Sequence, residues 1–167
     1  SDGERYILSI KKELTELKKE GYFIVSRRRL GKHDIAYYKK HNWPDFYRFS
    51  ELSDLIDIEL NGVGGTPGML YRLLYVSDLM YMPDISGIAY VEAALMRCPV
   101  YMPYNQEWVN RSANIISPAI DDMVKNKLIF NILSDSAIIH YKRNIDKFLA
   151  RWYNTDIDKF WSTVLKK

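Results

Sequence analysis

The residues whose types and spacing best suit chemistry lie in one short stretch of the chain, from Asp84 to Glu92. Ser86 and Gly87 fall where a predicted helix begins, directly after a predicted strand. Unpaired backbone N–H groups and the positive end of the helix dipole attract anions at such a position, and glycine lets an anion approach the backbone closely. Glu92 follows about two turns along this helix, where a carboxylate can accept hydrogen bonds from both ribose hydroxyl groups. The pattern predicts a site for a nucleotide-linked phosphate.

The same residues also have a purely structural interpretation. Serine is a favoured N-cap residue, so Ser86 can serve only to begin the helix. Glu92 can be a solvent-facing residue of that helix. Because a serine–glycine pair at a helix start is common, the residue types alone leave both interpretations open.

The composition is that of a globular protein of one domain. Of its 167 residues, 47% are hydrophobic and 27% are charged, which is ordinary for a folded chain with a buried core. No apolar run approaches the roughly 20 residues that cross a bilayer, and no signal peptide is evident. The single cysteine, Cys98, excludes an internal disulfide, which fits a cytoplasmic location. The histidines lack zinc-like spacing, so we predict no metal site.

A cluster of basic residues follows the first predicted strand, 22–26. It contains Arg27, Arg28, Arg29, Lys32, Lys39 and Lys40. Such a cluster can contact phosphate, nucleic acid or anionic lipid, or it can be a solvated surface. We rank nucleic acid lowest, and predict no such partner, because the formal net charge is only +3 and no recognised nucleic-acid-binding motif is present.

Helical and strand-like segments alternate along the chain, which is typical of a mostly parallel sheet covered by helices. We predict helices over 4–20, 33–41, 67–77 and 86–97, strands over 22–26, 55–60, 79–82 and 99–102, and further helices over about 118–167. This order predicts a single α/β domain over 1–167, a Rossmann-like three-layer sandwich. The chain opens on a helix where such a sheet usually begins with a strand. Either the first strand of a larger architecture lies outside the chain, or Ser1-Asp2-Gly3 is a remnant or an ordered loop.

A longer motif surrounds the first stretch: Asp-x-Ser-Gly from Asp84, Glu92-Ala93 within the helix, and Pro99-Val100 after it. It resembles the nucleotide-sugar-binding motif of GT-B fold glycosyltransferases and is similar to that of UDP-N-acetylglucosamine 2-epimerases. Asp84-Ile85-Ser86-Gly87 also resembles the Asp-Tyr-Ser-Ser of CDP-glycerol glycerophosphotransferases. A looser likeness extends from about residue 4 to the C-terminus. The resemblance implies the carboxy-terminal, donor-binding half of a GT-B architecture.

The resemblance also implies roles for individual residues. Ser86 and Gly87 would contact the diphosphate and Glu92 the ribose. More loosely matched positions would contact the donor sugar (Asn105 and Gln106) or a phosphate group (Arg29 and Lys32). The nucleotide sugar would be a substrate, so no cofactor is implied, and the absence of an Asp-x-Asp motif gives no reason to invoke a metal.

The implied partners are a nucleotide diphosphate sugar and an amino-terminal half, in the same chain or in a partner subunit. In the family that half carries the acceptor site and often the catalytic base, so the catalytic residue here is unknown. Synthesis of cell-surface polysaccharide from lipid-linked acceptors would place the chain in the cytoplasm, with peripheral attachment to the inner face of a membrane.

Two other functions stay open. The first is a non-catalytic module that keeps the fold and docks a partner subunit through its aromatic residues and a predicted apolar stripe, Ile157, Phe160, Trp161 and Val164. The second is an epimerase, a lesser alternative because that family's catalytic carboxylates and histidine are not evident at matching places.

Overall fold

A computed structural model describes residues 2–26, 52–60, 67–82, 89–102, 118–131 and 133–153. Within these ranges five strands form one sheet: β1 (Ile24–Ser26), β2 (Ile58–Glu59), β3 (Leu79–Tyr81), β4 (Val100–Tyr101) and β5 (Ile129–Phe130). Their order is β2-β1-β3-β4-β5, and every neighbouring pair is parallel. The predicted α/β, Rossmann-like fold with a mostly parallel sheet is confirmed.

Five helices accompany the sheet in the described ranges: α1 (Asp2–Lys19), α2 (Pro67–Val76), α3 (Ala89–Leu95), α4 (Pro118–Lys125) and α5 (Asp135–Tyr153). α2 and α4 each begin with a proline, whose fixed φ and missing N–H suit the first helical position. In the described ranges no helix is long and apolar enough to span a membrane. The predicted helix over 33–41 and the apolar stripe at 157–164 lie outside the described residues.

The strand register separates the side chains of the sheet into two faces, because successive residues of a strand point to opposite sides. One face carries Ser26, Tyr81, Tyr101 and Phe130. The other face carries Val25, Met80, Val100 and Ile129. All eight residues are buried, so both faces of the sheet are covered, as is usual for parallel sheets.

Helices cover both faces. On the first face, the Tyr101 hydroxyl donates a hydrogen bond to the Glu13 carboxylate of α1. The ring of Phe130 packs edge-on against Tyr141 of α5, with ring centroids 5.9 Å apart. On the second face, the Tyr90 hydroxyl of α3 lies 3.1 Å from the sulfur of Met102, one residue beyond β4. The three layers of the predicted sandwich are therefore present.

Within the segment of further helices predicted over about 118–167, the structure adds a strand, β5, that was not predicted. The apolar run Leu128-Ile129-Phe130 is buried and pairs with β4. Such a run is too short to show the alternation of an exposed strand, and periodicity cannot separate a fully buried strand from part of a helix. Burial on both faces of the sheet is the physical reason for the missing signal.

Three helices end in the same left-handed turn. Gly21, Arg97 and Lys127 follow α1, α3 and α4 with φ values of 87°, 55° and 57°. In each turn the next residue donates its N–H to the carbonyl five residues earlier: Tyr22 to Leu17, Cys98 to Ala93 and Leu128 to Met123. This Schellman geometry satisfies carbonyl groups that the helix leaves unpaired. Only Gly21 was recognisable from the sequence as a helix stop.

Two aspartates hold the amino end of β1. The Asp57 and Asp78 carboxylates accept hydrogen bonds from the backbone N–H groups of Ile24, at 2.8 Å, and Phe23, at 2.7 Å. The Lys18 ammonium lies 2.6 Å from the Asp57 carboxylate. Burial raises the pKa of Asp57, but the hydrogen bond from Ile24 and the Lys18 charge together lower it below its ordinary value. β1 is thereby fixed to both of its neighbours, because Asp57 precedes β2 and Asp78 precedes β3.

Candidate functional site

The order of the strands creates one topological switch point. β1 lies between β2 and β3, and the chain runs from β1 to β2 on one side before it crosses, through α2, to β3 on the other. Ser26 and Tyr81, the last residues of β1 and β3, are partners in the register. In open α/β sheets, ligands bind in the crevice beyond the carboxyl ends of two such strands. The candidate functional site is the crevice beyond Ser26 and Tyr81.

The strand ends beneath this crevice are tightly packed. Ser26 and Tyr81 are fully buried, and Tyr101, at the end of β4, is 1% exposed. The rings of Tyr81 and Tyr101 are in contact, with centroids 6.1 Å apart and planes tilted by 52°. Since Tyr101 also contacts Glu13 of α1, these strand ends are fixed both within the sheet and to the helix that covers it.

Glu92 is the one predicted site residue that the structure describes. It lies in the first turn of the described part of α3 and is half-buried. Tyr90, two residues earlier, is fully buried and contacts Met102 just beyond β4. This contact places the start of α3 at the carboxyl edge of the sheet, next to the switch point. A carboxylate in the first turn of a helix also interacts favourably with the helix dipole. Glu92 can therefore serve to stabilise α3, and this interpretation stays open beside the predicted ribose contact.

The other predicted site residues lie outside the described residues. They are Ser86, Gly87, Arg29, Lys32, Asn105 and Gln106. In the sequence, each of them follows the carboxyl end of a described strand: Arg29 and Lys32 follow β1, Ser86 and Gly87 follow β3, and Asn105 and Gln106 follow β4. These three strands are neighbours in the sheet. The roles of the six residues stay predictions.

The far end of α3 is anchored as firmly as its start. The Tyr141 hydroxyl of α5 donates a hydrogen bond to the Cys98 carbonyl, at 3.2 Å, and Arg97 pairs with Asp146 at 3.0 Å. Burial, followed by the nearby charge of Asp78, raises the pKa of the Cys98 thiol far above its ordinary value. The thiol is therefore enclosed, and its environment disfavours the thiolate, the form that acts as a nucleophile or metal ligand.

Two further observations bear on what the site can hold. In the parts of the chain that the structure describes, no three histidine, cysteine, aspartate or glutamate side chains come together as a metal site would require. Comparison with protein-family models, with curated proteins and with solved structures finds no match to this chain.

A polar cleft that was not predicted from the sequence lies beside β5, the outer strand of the described sheet that is farthest from β2. It encloses about 220 Å³ and is lined mainly by one side of α5: His140, Asn144, Lys147, Phe148 and Arg151, with Asn126 and Leu128. Four of these residues lie at intervals of four, three and four along α5, which is the spacing of one helix face. This spacing of polar residues is the signal in the sequence that could have indicated a polar face on α5.

Proposed function

We propose that this chain binds the nucleotide diphosphate part of an activated sugar or polyol, as the donor-binding half of a glycosyltransferase. The observation that carries the proposal is the strand order, whose switch point lies at the carboxyl ends of β1 and β3. The Asp84-Ile85-Ser86-Gly87 motif follows β3 in the sequence, and the basic cluster follows β1. The residues assigned to the diphosphate (Ser86, Gly87, Arg29 and Lys32) thus follow the two strands that flank the switch point.

In this proposal the chain contributes positioning and charge stabilisation. Glu92 accepts hydrogen bonds from the ribose and fixes the nucleoside. Backbone N–H groups at Ser86 and Gly87, with Arg29 or Lys32, stabilise the negative charge that grows on the diphosphate as it leaves. The acceptor and the catalytic base belong to an amino-terminal half, in the same chain or a partner. Such an enzyme would act in the cytoplasm, at the inner face of a membrane.

The test is calorimetric titration of the chain with UDP, CDP and GDP at fixed ionic strength. We expect one of the three to bind more tightly than the others, because a donor site selects its base. Glu92→Ala should weaken that binding by about tenfold or more, since a hydrogen bond to a charged group is worth about 1.5–3 kcal/mol. Glu16→Ala, an exposed glutamate of α1, is the matched control and should leave the affinity unchanged.

Two results would contradict the proposal. Equal weakening by Glu92→Ala and Glu16→Ala would show that only the net charge matters. Absence of binding by all three nucleotides would favour the alternative, a module that keeps the fold only to dock a partner.

One observation supports that alternative. Three large apolar side chains of α2 are exposed: Met69 at 47%, Tyr75 at 46% and Val76 at 60%. Residues 69 and 76 are separated by seven positions, so they lie on the same side of the helix. Docking through this side would resist high salt, because burial of apolar surface is not screened by ions. Association of the chain that is insensitive to salt and lost in Val76→Ser would support docking.

A further inference from the structure

The cleft on α5 lies away from the proposed donor site. Asn126 and Leu128 directly precede β5, so the cleft borders the amino end of this edge strand. The switch point lies at the carboxyl ends of β1 and β3, with β4 between β3 and β5. A ligand in the cleft would therefore be separate from the nucleotide, and its binding does not depend on the proposed function.

The charged side chains of the cleft are positive. Lys147 and Arg151 are four residues apart on α5, so their side chains are neighbours on the helix surface. Arg151 pairs with Asp122 of α4 at 2.5 Å. In the ion pairs of the described residues, Lys147 takes no part. Two like charges at this spacing destabilise a helix, and the Asp122 carboxylate offsets only one of them.

The Asp122 carboxylate is itself fully engaged. Its Oδ1 accepts a hydrogen bond from the Asn126 side-chain amide at 2.5 Å. Its Oδ2 accepts from the Trp152 indole and from Arg151, both at 2.5 Å. With these bonds in place, Asp122 pairs with Arg151, and among the described ion pairs it makes none with Lys147. A guanidinium has five N–H donors, so the bond from Arg151 to Asp122 leaves other donors of the same group for a ligand.

The uncharged wall of the cleft is also fixed. His140 Nε2 lies 2.8 Å from the Asn126 carbonyl oxygen. Because a carbonyl only accepts, this nitrogen carries the hydrogen. The other ring nitrogen, Nδ1, accepts from the Asn144 side-chain amide at 3.2 Å, and the same amide donates to the His140 carbonyl at 2.8 Å. Both ring nitrogens are therefore engaged with neighbouring residues, and Lys147 and Arg151 are the basic side chains that line the cleft beside them.

The size of the cleft limits the ligand. Its volume of about 220 Å³ exceeds the roughly 150 Å³ of an engineered cavity that binds benzene, and it is below the usual range of sites for drug-sized ligands. Leu128 and Phe148, both 1% exposed, provide an apolar floor. The space suits a tetrahedral anion with a small substituent.

We infer that this cleft binds a phosphate group, either free or as the headgroup of an anionic lipid, through Lys147 and Arg151. The phosphate oxygens accept hydrogen bonds from the ammonium and the guanidinium together. The bound anion offsets the repulsion between these neighbouring cations and occupies the space above Leu128 and Phe148. His140 and Asn144 form the side of the cleft and fix its shape through their mutual hydrogen bonds.

The test is a nitrogen–proton NMR titration of the whole chain with potassium phosphate, compared with potassium chloride at equal ionic strength. Phosphate should give saturating shifts of the amide signals of 126–128 and 140–151, with millimolar affinity. Lys147→Gln should weaken binding at least about fivefold, the loss expected for one charge-assisted contact at an exposed site. Lys147→Arg should retain binding. Lys142→Gln removes an exposed lysine of α5 that does not line the cleft, and it should bind like the wild type.

Sedimentation with phosphatidylcholine vesicles, with and without phosphatidic acid, distinguishes the two sources of phosphate. Binding only to the anionic vesicles, lost in Lys147→Gln, identifies a lipid headgroup, whereas shifts by free phosphate without sedimentation identify a soluble ligand. The inference is overturned if chloride gives the same shifts as phosphate, or if Lys142→Gln weakens binding as much as Lys147→Gln. The spectrum of each variant shows directly whether it is folded.

Discussion

Replacement of Lys127 by glycine should make the protein more stable. Lys127 has φ of 57° in the turn that ends α4, and its side chain is exposed. The left-handed conformation costs a residue with a Cβ atom roughly 1–2 kcal/mol, whereas glycine adopts it freely but loses about 0.5–1 kcal/mol more in backbone entropy on folding. The difference predicts a gain of about 0.5–1 kcal/mol in the free energy of unfolding.

Among the described residues, the Lys127 side chain makes no hydrogen bond or ion pair that the replacement would remove. The turn is closed by backbone groups alone: Lys127 N–H donates to the Val124 carbonyl at 3.1 Å, and Leu128 N–H donates to the Met123 carbonyl at 2.8 Å. For a chain of this length, 1 kcal/mol shifts the melting temperature by roughly 2–4 °C. Differential scanning calorimetry should therefore show a rise of about 1–4 °C.

Two control variants determine whether the backbone conformation is the cause. Lys142→Gly makes the same replacement within α5, at an exposed helical position, and should cost about 1 kcal/mol. Gly21→Ala places a Cβ atom at φ of 87° where no atom lies within 4 Å, so its expected loss of about 1 kcal/mol arises from conformation and not from a clash. If Lys127→Gly destabilises the protein as Lys142→Gly does, the reasoning is refuted.

Three further predictions concern the buried and charged groups of the fold. The Cys98 thiol, whose pKa is raised by burial, should not react with Ellman's reagent while the protein is folded. Labelling should therefore proceed only as fast as the protein unfolds, and fast labelling without denaturant would contradict the burial of the thiol. Asp57 has a pKa below its ordinary value, so its ionised form stabilises the fold at neutral pH, and this stability is lost as the pH falls through the lowered pKa. Asp57→Asn should lower the free energy of unfolding by about 1 kcal/mol at pH 7, as measured by urea denaturation. The loss should be smaller in acid, where the carboxyl group is protonated in both states, and an equal loss at neutral and acidic pH would refute the electrostatic cause. Asp122→Ala should cost about 1–2 kcal/mol, because it removes the acceptor shared by Trp152 and Arg151, whereas an unchanged urea midpoint would show that these surface contacts contribute nothing.

The sequence predicted the elements whose patterns are strong. α1 has clear helical spacing and a glycine stop, and β3 is an apolar run that the structure places inside the sheet. β2 falls within the strand predicted over 55–60, where apolar and acidic residues alternate as in a half-exposed or edge strand, and it lies at the edge of the described sheet and is half-buried. β5 was missed because its brief apolar run has no periodicity. The turns at Arg97 and Lys127 were missed because residue type gives no signal when a basic residue takes the place that glycine usually fills.

The candidate site was predictable only in its outline. The residues of the Asp84 to Glu92 motif identified a strand-to-helix step, and the structure places α3 directly after β3 along the chain. Which two strands flank the switch point depends on the strand order, and this order arises from long-range pairing that no local pattern encodes. The α5 cleft depends in addition on Asn126 and Asp122, which come from another helix and its turn, so the spacing on α5 alone could indicate a polar face but not an enclosed space.

Both outer strands of the described sheet have only two residues. An edge strand presents unpaired N–H and C=O groups to which a strand of another chain can add, and natural proteins limit this hazard by keeping such strands short and charged. β2 contains Glu59, so a strand added there would meet a carboxylate and very few backbone groups of the described edge. Assembly with another domain is therefore expected to use helices or loops and not continuation of the sheet, and the described edges should also resist the strand-to-strand stacking that leads to fibrils.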